Sequence, residues 1–394
     1  DNYHTYLQIG ALKNFSKLLK DSMEFWNEMF KHPNLDEWWK ARNTRNFVSD
    51  IKPAMLTVGG LFDAEDCYGA WNLYKAIEKQ SPKTNNRLVM GPWSHGGWHR
   101  GSGNYLGNIR FGSKTSEYYQ TNLEQTFFDF YLRNKGSDKS ISEATIFFSG
   151  ENNWKNFDSW PPKNVETKTI YLNADQKLSF EKPMTTNSSS NYISDPNKPV
   201  PYAEHVHLQR TKEYMTDDQR FAARRTDVLF FETEILNEDM TLAGAVIADL
   251  KISLSTSDAD FVVKIIDVFP DNFDYGNVCC QGVKEEAEMG GYQMLVRGEI
   301  MRGKFRNSFK KPEAFTPNKT ETVKFELPDV AHTFKKGHKL MIQIQSSWFP
   351  LFDRNPQQFI DIYKCDDKDF IKSEIKVFHQ ADAASGIVLP ILKK

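Results

Sequence analysis

The chain contains 394 residues, with 50 lysine and arginine residues against 52 aspartate and glutamate residues, which leaves a formal net charge of −2. This balance gives no indication of a nucleic-acid partner or of binding to an anionic membrane. No run of about 18 apolar residues is present, so we expect no membrane span. The length is sufficient for two domains with sizeable hydrophobic cores.

The first 50 residues predict helical and irregular structure. Phe15, Leu18, Leu19 and residues 22–25 fall on one face of a helical pattern, and His32-Pro33 interrupts it. Periodicity alone indicates a helical pair that packs on a sheet.

Residues 51–99 carry the clearest structural pattern of the chain. Two short apolar runs, 53–58 and 88–90, are each ended by a glycine pair or by Gly-Pro, which is typical of buried parallel strands. Between them, apolar residues recur at helical spacing and predict a helix over residues 66–79: Ala70, Leu73, Tyr74 and Ile77. Two strands joined by one helix form a parallel βαβ unit.

An acidic residue and a histidine follow these two strands. Asp63 lies just beyond the first strand and His95 just beyond the second. In open α/β sheets the ligand crevice lies at the carboxyl ends of the strands, so we expect both side chains at one rim. An acid followed by a histidine is the second half of an α/β-hydrolase triad, which runs Ser, Asp or Glu, His.

The rest of the chain changes from helical to strand periodicity. Residues 100–112 are rich in glycine and predict a loop, and residues 116–133 predict a helix. Beyond residue 140, short strands are predicted over residues 144–149, 167–172, 227–233, 245–254, 260–268, 292–298, 322–327, 339–345 and 374–379. Such a series indicates a β-sandwich. The polar stretch 181–226 is expected to be a long surface excursion.

Two segments carry a family resemblance. GGLFDAED at residues 59–66 and GPWSHGG at residues 91–97 resemble the family of cocaine esterases, X-Pro dipeptidyl peptidases, glutaryl acylases and α-amino-acid ester hydrolases (the CocE/NonD hydrolases). The likeness extends to WPP at residues 160–162 and SSWFPLFDRNPQ at residues 346–357. Carboxylates at Asp63, Glu65 and Asp66 resemble the α-amino-acid ester hydrolase branch.

The resemblance implies both a fold and a domain organisation. Residues 1–50 would form a helical cap, residues 51–139 the C-terminal part of an α/β-hydrolase domain, and residues 140–394 a jelly-roll β-sandwich. The nucleophilic serine would lie upstream, because no G-x-S-x-G segment is present, and Ser94 and Ser102 lack a strand-to-helix elbow. We therefore expect a fragment that is inactive without the missing half of the hydrolase domain.

The implied activity is that of a serine hydrolase or acyltransferase. Asp63 and His95 would be catalytic, while Glu65 and Asp66 would bind the ammonium group of an α-amino-acid ester or amide, such as an acylated β-lactam antibiotic. No cofactor is expected, the partner would be a small acyl substrate, and the relatives suggest a periplasmic or secreted protein, with homo-oligomerisation left open. Cocaine-esterase, glutaryl-acylase or X-Pro dipeptidyl-peptidase activity, or a non-catalytic sugar-binding jelly roll, remain alternatives.

Other polar clusters have simpler interpretations. His95 and His99 are spaced like metal ligands, but Gly96-Gly97 opposes a helix, so we expect no metal site. His205 and His207 are expected to be surface histidines. The acids Asp258, Asp260, Asp271 and Asp274 lack EF-hand spacing and are expected to be exposed loop residues. We expect free buried thiols at the four cysteines, which are Cys67, Cys279, Cys280 and Cys365.

Overall fold

The computed structural model describes residues 1–20, 22–275 and 288–393. The helices are α1 (Asn2–Ile9), α2 (Lys13–Leu19), α3 (Glu24–Lys31), α4 (Glu37–Ala41), α5 (Cys67–Gln80), α6 (Thr115–Tyr118), α7 (Gln125–Arg133) and α8 (Arg220–Ala223). A π-helical segment, Tyr119–Glu124, joins α6 to α7, so the helix predicted over residues 116–133 is present with one irregular turn. In these described ranges no helix has the length and apolar character needed to cross a bilayer.

The strands fall into two regions of the chain. The first region contains β1 (Met55–Gly60), β2 (Asn86–Gly91), β3 (Tyr105–Leu106), β4 (Ile109–Arg110), β5 (Ala144–Phe148) and β6 (Asn153–Phe157). The second contains β7 (Val165–Leu172), β8 (Leu178–Ser179), β9 (Ser189–Ser194), β10 (Leu229–Glu232), β11 (Met240–Leu254), β12 (Asp260–Val268), β13 (Gln293–Arg302), β14 (Glu321–Phe334), β15 (Lys339–Gln345), β16 (Ser373–Gln380), β17 (Ala383–Ala384) and β18 (Gly386–Leu392).

The predicted βαβ unit is confirmed. β1 and β2 pair in parallel, and α5 forms the crossover between them. The sheet continues through β5, which is parallel to β2, to β6, which is antiparallel to β5. The strand predicted at residues 144–149 is present, but it pairs with β2 in this sheet and not with the sandwich strands, so the prediction is wrong about its sheet. Every residue of β5 is buried, so its apolar run serves equally well in a parallel sheet.

The β-sandwich is also confirmed. One sheet has the order β10-β15-β12-β13, and the other is built around the long strand β11, which pairs with β14, β16 and β18. Apolar side chains of both sheets form one buried core, to which β11 contributes Leu250 and Ile252, and β12 contributes Phe261 and Val263.

The strand β12 is buried on both of its faces. Phe261, Val263 and Ile265 point into the sandwich core, whereas Val262 and Ile266 belong to a second core that includes Trp71 of α5. This double burial explains why the apolar residues of β12 are consecutive, as at residues 261–263, and do not alternate with polar residues. The sheet that contains β12 is therefore a middle layer between the α/β part and the rest of the sandwich.

The helices predicted in the first 50 residues are present. The Tyr3 hydroxyl donates to the Pro199 carbonyl at 2.6 Å, and the Leu35 amide donates to the Phe309 carbonyl. The Phe30 ring lies 4.8 Å from that of Tyr363. These contacts join the helices to the β-rich part, and their role as a cap stays a prediction.

The stretch 181–226 is more than a surface excursion, and the prediction was wrong on this point. It contains β9, which pairs with β16, and it buries Tyr202, Tyr214 and Gln219. Polar residues such as tyrosine and glutamine make a segment resemble an exposed loop, but they can be buried where their side chains form hydrogen bonds in the interior. The Gln219 amide, for example, accepts from the buried ammonium group of Lys264 at 2.9 Å.

Two of the four acids expected to be exposed are buried instead. Asp260 accepts two hydrogen bonds from Arg302 at 3.0 and 3.1 Å, and Asp258 accepts from the Lys304 amide at 2.8 Å. Burial, followed by the nearby charge of Asp260, raises the pKa of Asp258 to about 7. Asp271 and Asp274 are exposed as expected.

The cysteine prediction is tested at two of the four positions. Cys67 and Cys365 are free and buried, as expected. Cys279 and Cys280 lie outside the described residues.

The raised pKa of Asp258 predicts a specific pH dependence of stability. The folded protein holds a proton on this carboxyl between about pH 4 and 7, where the unfolded chain has released it, so stability falls as pH rises through this window. Asp258→Asn removes that contribution. The unfolding free energy of the wild type minus that of the variant, measured by urea denaturation, should decrease with rising pH. The decrease should be at most about 1.4 kcal/mol per pH unit. A pH-independent difference would contradict the assignment.

Candidate active site

Asp63 lies three residues beyond β1 and is 2 % exposed. One of its carboxylate oxygens, Oδ1, accepts hydrogen bonds from the backbone amides of Glu65 at 2.8 Å and Asp66 at 3.0 Å. The other oxygen, Oδ2, faces His95. Two backbone donors fix the orientation of this carboxylate in the loop that precedes α5.

His95 lies four residues beyond β2, and its Nδ1 is 3.0 Å from Oδ2 of Asp63. The predicted contact between these two side chains is therefore present. The His95 side chain is 45 % exposed, and within the described ranges its Nε2 has no hydrogen-bond partner. A buried carboxylate on Nδ1 and an accessible Nε2 is the arrangement that a general base requires.

The backbone places the two loops side by side. Beyond the last strand pair, Gly60 with Gly91, the Leu61 amide donates to the Gly91 carbonyl at 2.8 Å and the Phe62 amide to the Trp93 carbonyl at 3.1 Å. A side chain at Gly60 would collide with the Trp93 carbonyl, because its Cβ would lie 2.1 Å from that oxygen. Glycine at this position therefore permits the close approach of the acid loop, which we define as residues 61–66, to the loop that carries His95.

The two further carboxylates of the acid loop have different surroundings. The Asp66 side chain is 66 % exposed, and its Oδ2 lies 3.4 Å from Nδ1 of His95. The Glu65 carboxylate forms an ion pair with Arg210, and this hydrogen bond lowers the pKa of Glu65. Sequence reasoning missed Arg210, because it lies 145 residues further along the chain and carries no local pattern.

A cleft with a volume of about 290 Å³ opens beside His95. Its lining includes the glycine-rich loop at residues 101–107 and the charged residues Arg100, Lys212 and Glu213. The cleft beside His95 is therefore lined by charged groups of both signs.

Asp63, Asp66 and His95 also satisfy the geometry of a metal site, since one ligand atom from each lies within 4.8 Å of the others. Asp63 already accepts two backbone hydrogen bonds and faces Nδ1 of His95. A cation bound to these three groups would have to replace the hydrogen bond between Asp63 and His95. This donor set fits a hydrogen-bonded triad better than a metal.

The remaining candidates from the sequence do not contact Asp63 or His95, although Ser94 and Ser102 line the cleft. His99 pairs with Glu124 at 3.0 Å instead of completing a metal site with His95. His205 is exposed. Ser94 is buried, and the Ser102 hydroxyl donates to the Asn104 side chain.

The structure contains a second Ser-His-Asp arrangement that sequence reasoning missed. His332 Nδ1 is 2.8 Å from the Ser149 hydroxyl, and its Nε2 is 3.1 Å from Asp267, which also accepts from His338 at 2.8 Å. All four side chains are buried, so no substrate reaches them. Hydrogen bonds from the two histidines lower the pKa of Asp267 despite the opposing effect of burial. This network joins β5 to the sandwich and has a structural role.

The geometry of the exposed site predicts the proton arrangement on His95. Its Nδ1 proton should be held by Asp63 and should give a downfield NMR resonance protected from exchange with water. Asp63→Asn should abolish this resonance, because the amide can present a donor to Nδ1 and so favours the other tautomer. Asp66→Asn should preserve the resonance, because the Asp66 carboxylate lies farther from Nδ1 of His95 than that of Asp63. The reverse pattern in the two variants would show that Asp66 holds the imidazole.

Comparisons with known proteins identify the family. Residues 131–381 match the model of the X-Pro dipeptidyl-peptidase C-terminal non-catalytic domain, which is more than half of the chain. Residues 8–97, which include Asp63 and His95, match the model of the X-Pro dipeptidyl-peptidase S15 family.

Individual relatives agree with this result. The cocaine esterase of Rhodococcus sp. strain MB1 Bresler is 25 % identical over 382 residues, which cover 93 % of this chain and 61 % of the esterase. A solved aminopeptidase from a marine sediment Thaumarchaeota archaeon is 36 % identical with a TM-score of 0.91, covering 100 % of this chain and 64 % of that one. A solved α-amino acid ester hydrolase is 34 % identical with a TM-score of 0.92, covering 99 % and 64 %.

The chain thus spans less than two thirds of the length of these relatives. The resemblance seen in the acid and histidine segments is confirmed by the family models and by the matched structures. The chain belongs to the CocE/NonD hydrolase family, which includes the X-Pro dipeptidyl peptidases.

Proposed function

We propose that the complete protein is a serine hydrolase or acyltransferase that acts on esters or amides of α-amino acids, with β-lactam antibiotics acylated by such acids among its substrates. The observation that carries the proposal is the contact between the buried Asp63 and the accessible His95 at the rim of a parallel sheet. We place the serine nucleophile outside this chain, because no G-x-S-x-G segment is present in it and the chain covers less than two thirds of the matched relatives.

The two residues divide the work of the triad. His95 accepts the serine proton on Nε2 as the oxygen attacks the substrate carbonyl carbon, and then returns it to the leaving alcohol or amine. Asp63 holds the Nδ1 proton and stabilises the imidazolium. Water then attacks the acyl-enzyme with His95 as base, which releases the acid and restores the serine.

The acid loop supplies the proposed selectivity for a free amino group. Glu65 and Asp66 place two exposed carboxylates beside the buried charge of Asp63, and like charges at this spacing disfavour each other. Arg210 compensates Glu65 in the unliganded site. Among the described residues, His95 is the one ion-pair partner of Asp66. The ammonium group of a substrate would supply a second cation to this carboxylate.

The matched structures support this substrate class. Both the aminopeptidase and the α-amino acid ester hydrolase have names that refer to substrates with an α-amino group, and both exceed 30 % identity to this chain. The cocaine esterase is more distant in sequence, at 25 % identity. Esterase, glutaryl-acylase and X-Pro dipeptidyl-peptidase activities are therefore the nearest rivals.

A sugar-binding jelly roll receives less support. A groove with a volume of about 780 Å³ lies on the sandwich, but its walls carry paired charges such as Lys155 with Glu151 and Lys335 with Asp239. Among the described residues that line it, Phe180 is the one aromatic side chain. A stacking platform for sugar rings is not formed there.

The test uses the full-length protein and matched pairs of amino-acid esters, with the α-amino group free or acetylated. Asp66→Asn and Glu65→Gln should each lower kcat/KM for the free-amine ester by about tenfold, which corresponds to about 1.4 kcal/mol of lost transition-state binding. The same variants should change kcat/KM for the acetylated ester by less than about twofold, because that substrate carries no ammonium group.

The control variant for this experiment is Glu234→Gln, which removes an exposed carboxylate far along the chain from the acid loop. It should leave both substrates unaffected. Equal losses on the two esters in the acid-loop variants would remove the ammonium-binding role. Full activity of the His95→Ala variant would overturn the triad itself.

A further inference from the structure

Arg297 of β13 is a buried cation, and in the part of the chain that the structure describes it donates to no carboxylate. The side chain is 2 % exposed, and its guanidinium group donates to the carbonyl of Leu61 at 2.7 Å, to Sγ of Cys67 at 3.1 Å and to the carbonyl of Asp329 at 3.0 Å. Among the described residues, none of these acceptors is a carboxylate. The charge of Arg297 acts on the Glu299 carboxyl, but its hydrogen bonds go to neutral acceptors. A buried charge bonded in this way is costly, so its presence calls for a specific cause.

The acceptor Leu61 is the first residue of the acid loop, and the acceptor Cys67 is the first residue of α5, which follows that loop. One nitrogen of Arg297 therefore contacts both ends of the segment 61–67, which carries Asp63. Inside the loop, the Asp63 carboxylate accepts the amides of Glu65 and Asp66. The loop is thus fixed from within by Asp63 and from the sandwich side by Arg297.

The third acceptor anchors Arg297 to the rest of the molecule. Asp329 of β14 is 1 % exposed, and its carboxylate accepts from Nζ of Lys75 on α5 at 2.5 Å and from the indole of Trp160 at 2.8 Å. Arg297 and Asp329 together link two strands of the sandwich to the acid loop and to the helix that follows it. The sandwich is consequently in direct contact with the backbone on which the catalytic acid is placed.

We infer that Arg297 is a positioning residue for Asp63, so that the domain matched by the non-catalytic family model contributes to the catalytic geometry. The guanidinium group holds the acid loop in the conformation in which the Asp63 carboxylate meets Nδ1 of His95. The inference rests on the proposed role of Asp63.

The sulfur of Cys67 offers a direct local probe. Cys67 is buried, and burial raises the pKa of its thiol, an effect that the positive charge of Arg297 opposes. Removal of Arg297 therefore makes the thiol intrinsically less reactive towards alkylating reagents. Faster alkylation in a variant must come from opening of the acid loop and not from activation of the thiol.

The experiment compares Arg297→Gln and Arg297→Lys with the control Arg302→Gln in this chain. Arg302 lies on the same strand, and its side chain is 14 % exposed, but it pairs with Asp260 and Asp353 instead of contacting the acid loop. Alkylation of Cys67 by iodoacetamide under native conditions is followed by peptide mass spectrometry. Arg297→Gln should accelerate it by about tenfold or more, Arg297→Lys by less, and Arg302→Gln by less than about twofold.

A second readout reports on His95. The protected Nδ1 proton resonance should broaden or disappear in Arg297→Gln and persist in Arg302→Gln. In the full-length enzyme, Arg297→Gln should lower kcat while KM stays within about twofold, because the substrate groups themselves are untouched. Unchanged alkylation in both Arg297 variants, or equal acceleration in the Arg302 control, would overturn the positioning role.

The outcomes separate this inference from the proposed function. If full-length wild type hydrolyses no amino-acid ester, the proposed function fails, while the alkylation and NMR results still decide whether Arg297 holds the acid loop. If wild type is active and both local readouts are unaffected in the Arg297 variants, the positioning role alone fails.

Discussion

The hydrogen bond between Asp63 and His95 is the interaction on which the proposed chemistry depends. It requires a carboxylate that is buried but fully oriented and an imidazole that is still open to substrate. The first condition is met by two backbone amides on Oδ1, and the second by the position of His95 on the solvent side of the loop. The hydrogen bond therefore defines which ring nitrogen is free to exchange a proton.

The layered fold serves this interaction. The middle sheet contributes apolar side chains to a core on each of its faces, so the α/β part and the sandwich share buried surface instead of being joined by a loose linker. Polar contacts cross the same boundary at several places, among them the bonds from Arg297 to Leu61 and Cys67 and the bond between Ser149 and His332. The first of these reaches the acid loop and the second does not, which explains why only the first can bear on catalysis.

The sequence predicted the parts of the site that depend on local pattern. Glycine-bounded apolar runs and helical spacing were sufficient to place the βαβ unit, and the ends of its strands were sufficient to bring Asp63 near His95. Arg210 and Arg297 were not predictable in this way. Each reaches the acid loop from a segment more than 100 residues away in sequence, where an arginine on a strand or in a polar stretch has no distinctive spacing.

Burial of charged groups was the other feature that local pattern could not give. Asp258 lies in the polar segment between β11 and β12, and Asp260 is the first residue of β12. Aspartates at such positions are usually exposed. The burial of these two side chains follows from partners that are distant in sequence, namely Arg302 and the Lys304 amide. The assignment of residues 144–149 to the wrong sheet has the same origin, because an apolar strand does not reveal which neighbour it pairs with.

The central claim is that His95 and Asp63 complete a triad with a serine supplied by the rest of the hydrolase domain. The most direct measurement is a crystal structure of the full-length protein after reaction with a fluorophosphonate probe, which labels activated serines covalently. The account predicts one labelled serine with its Oγ about 3 Å from Nε2 of His95. A labelled serine far from His95, with His95 still bound to Asp63, would contradict it.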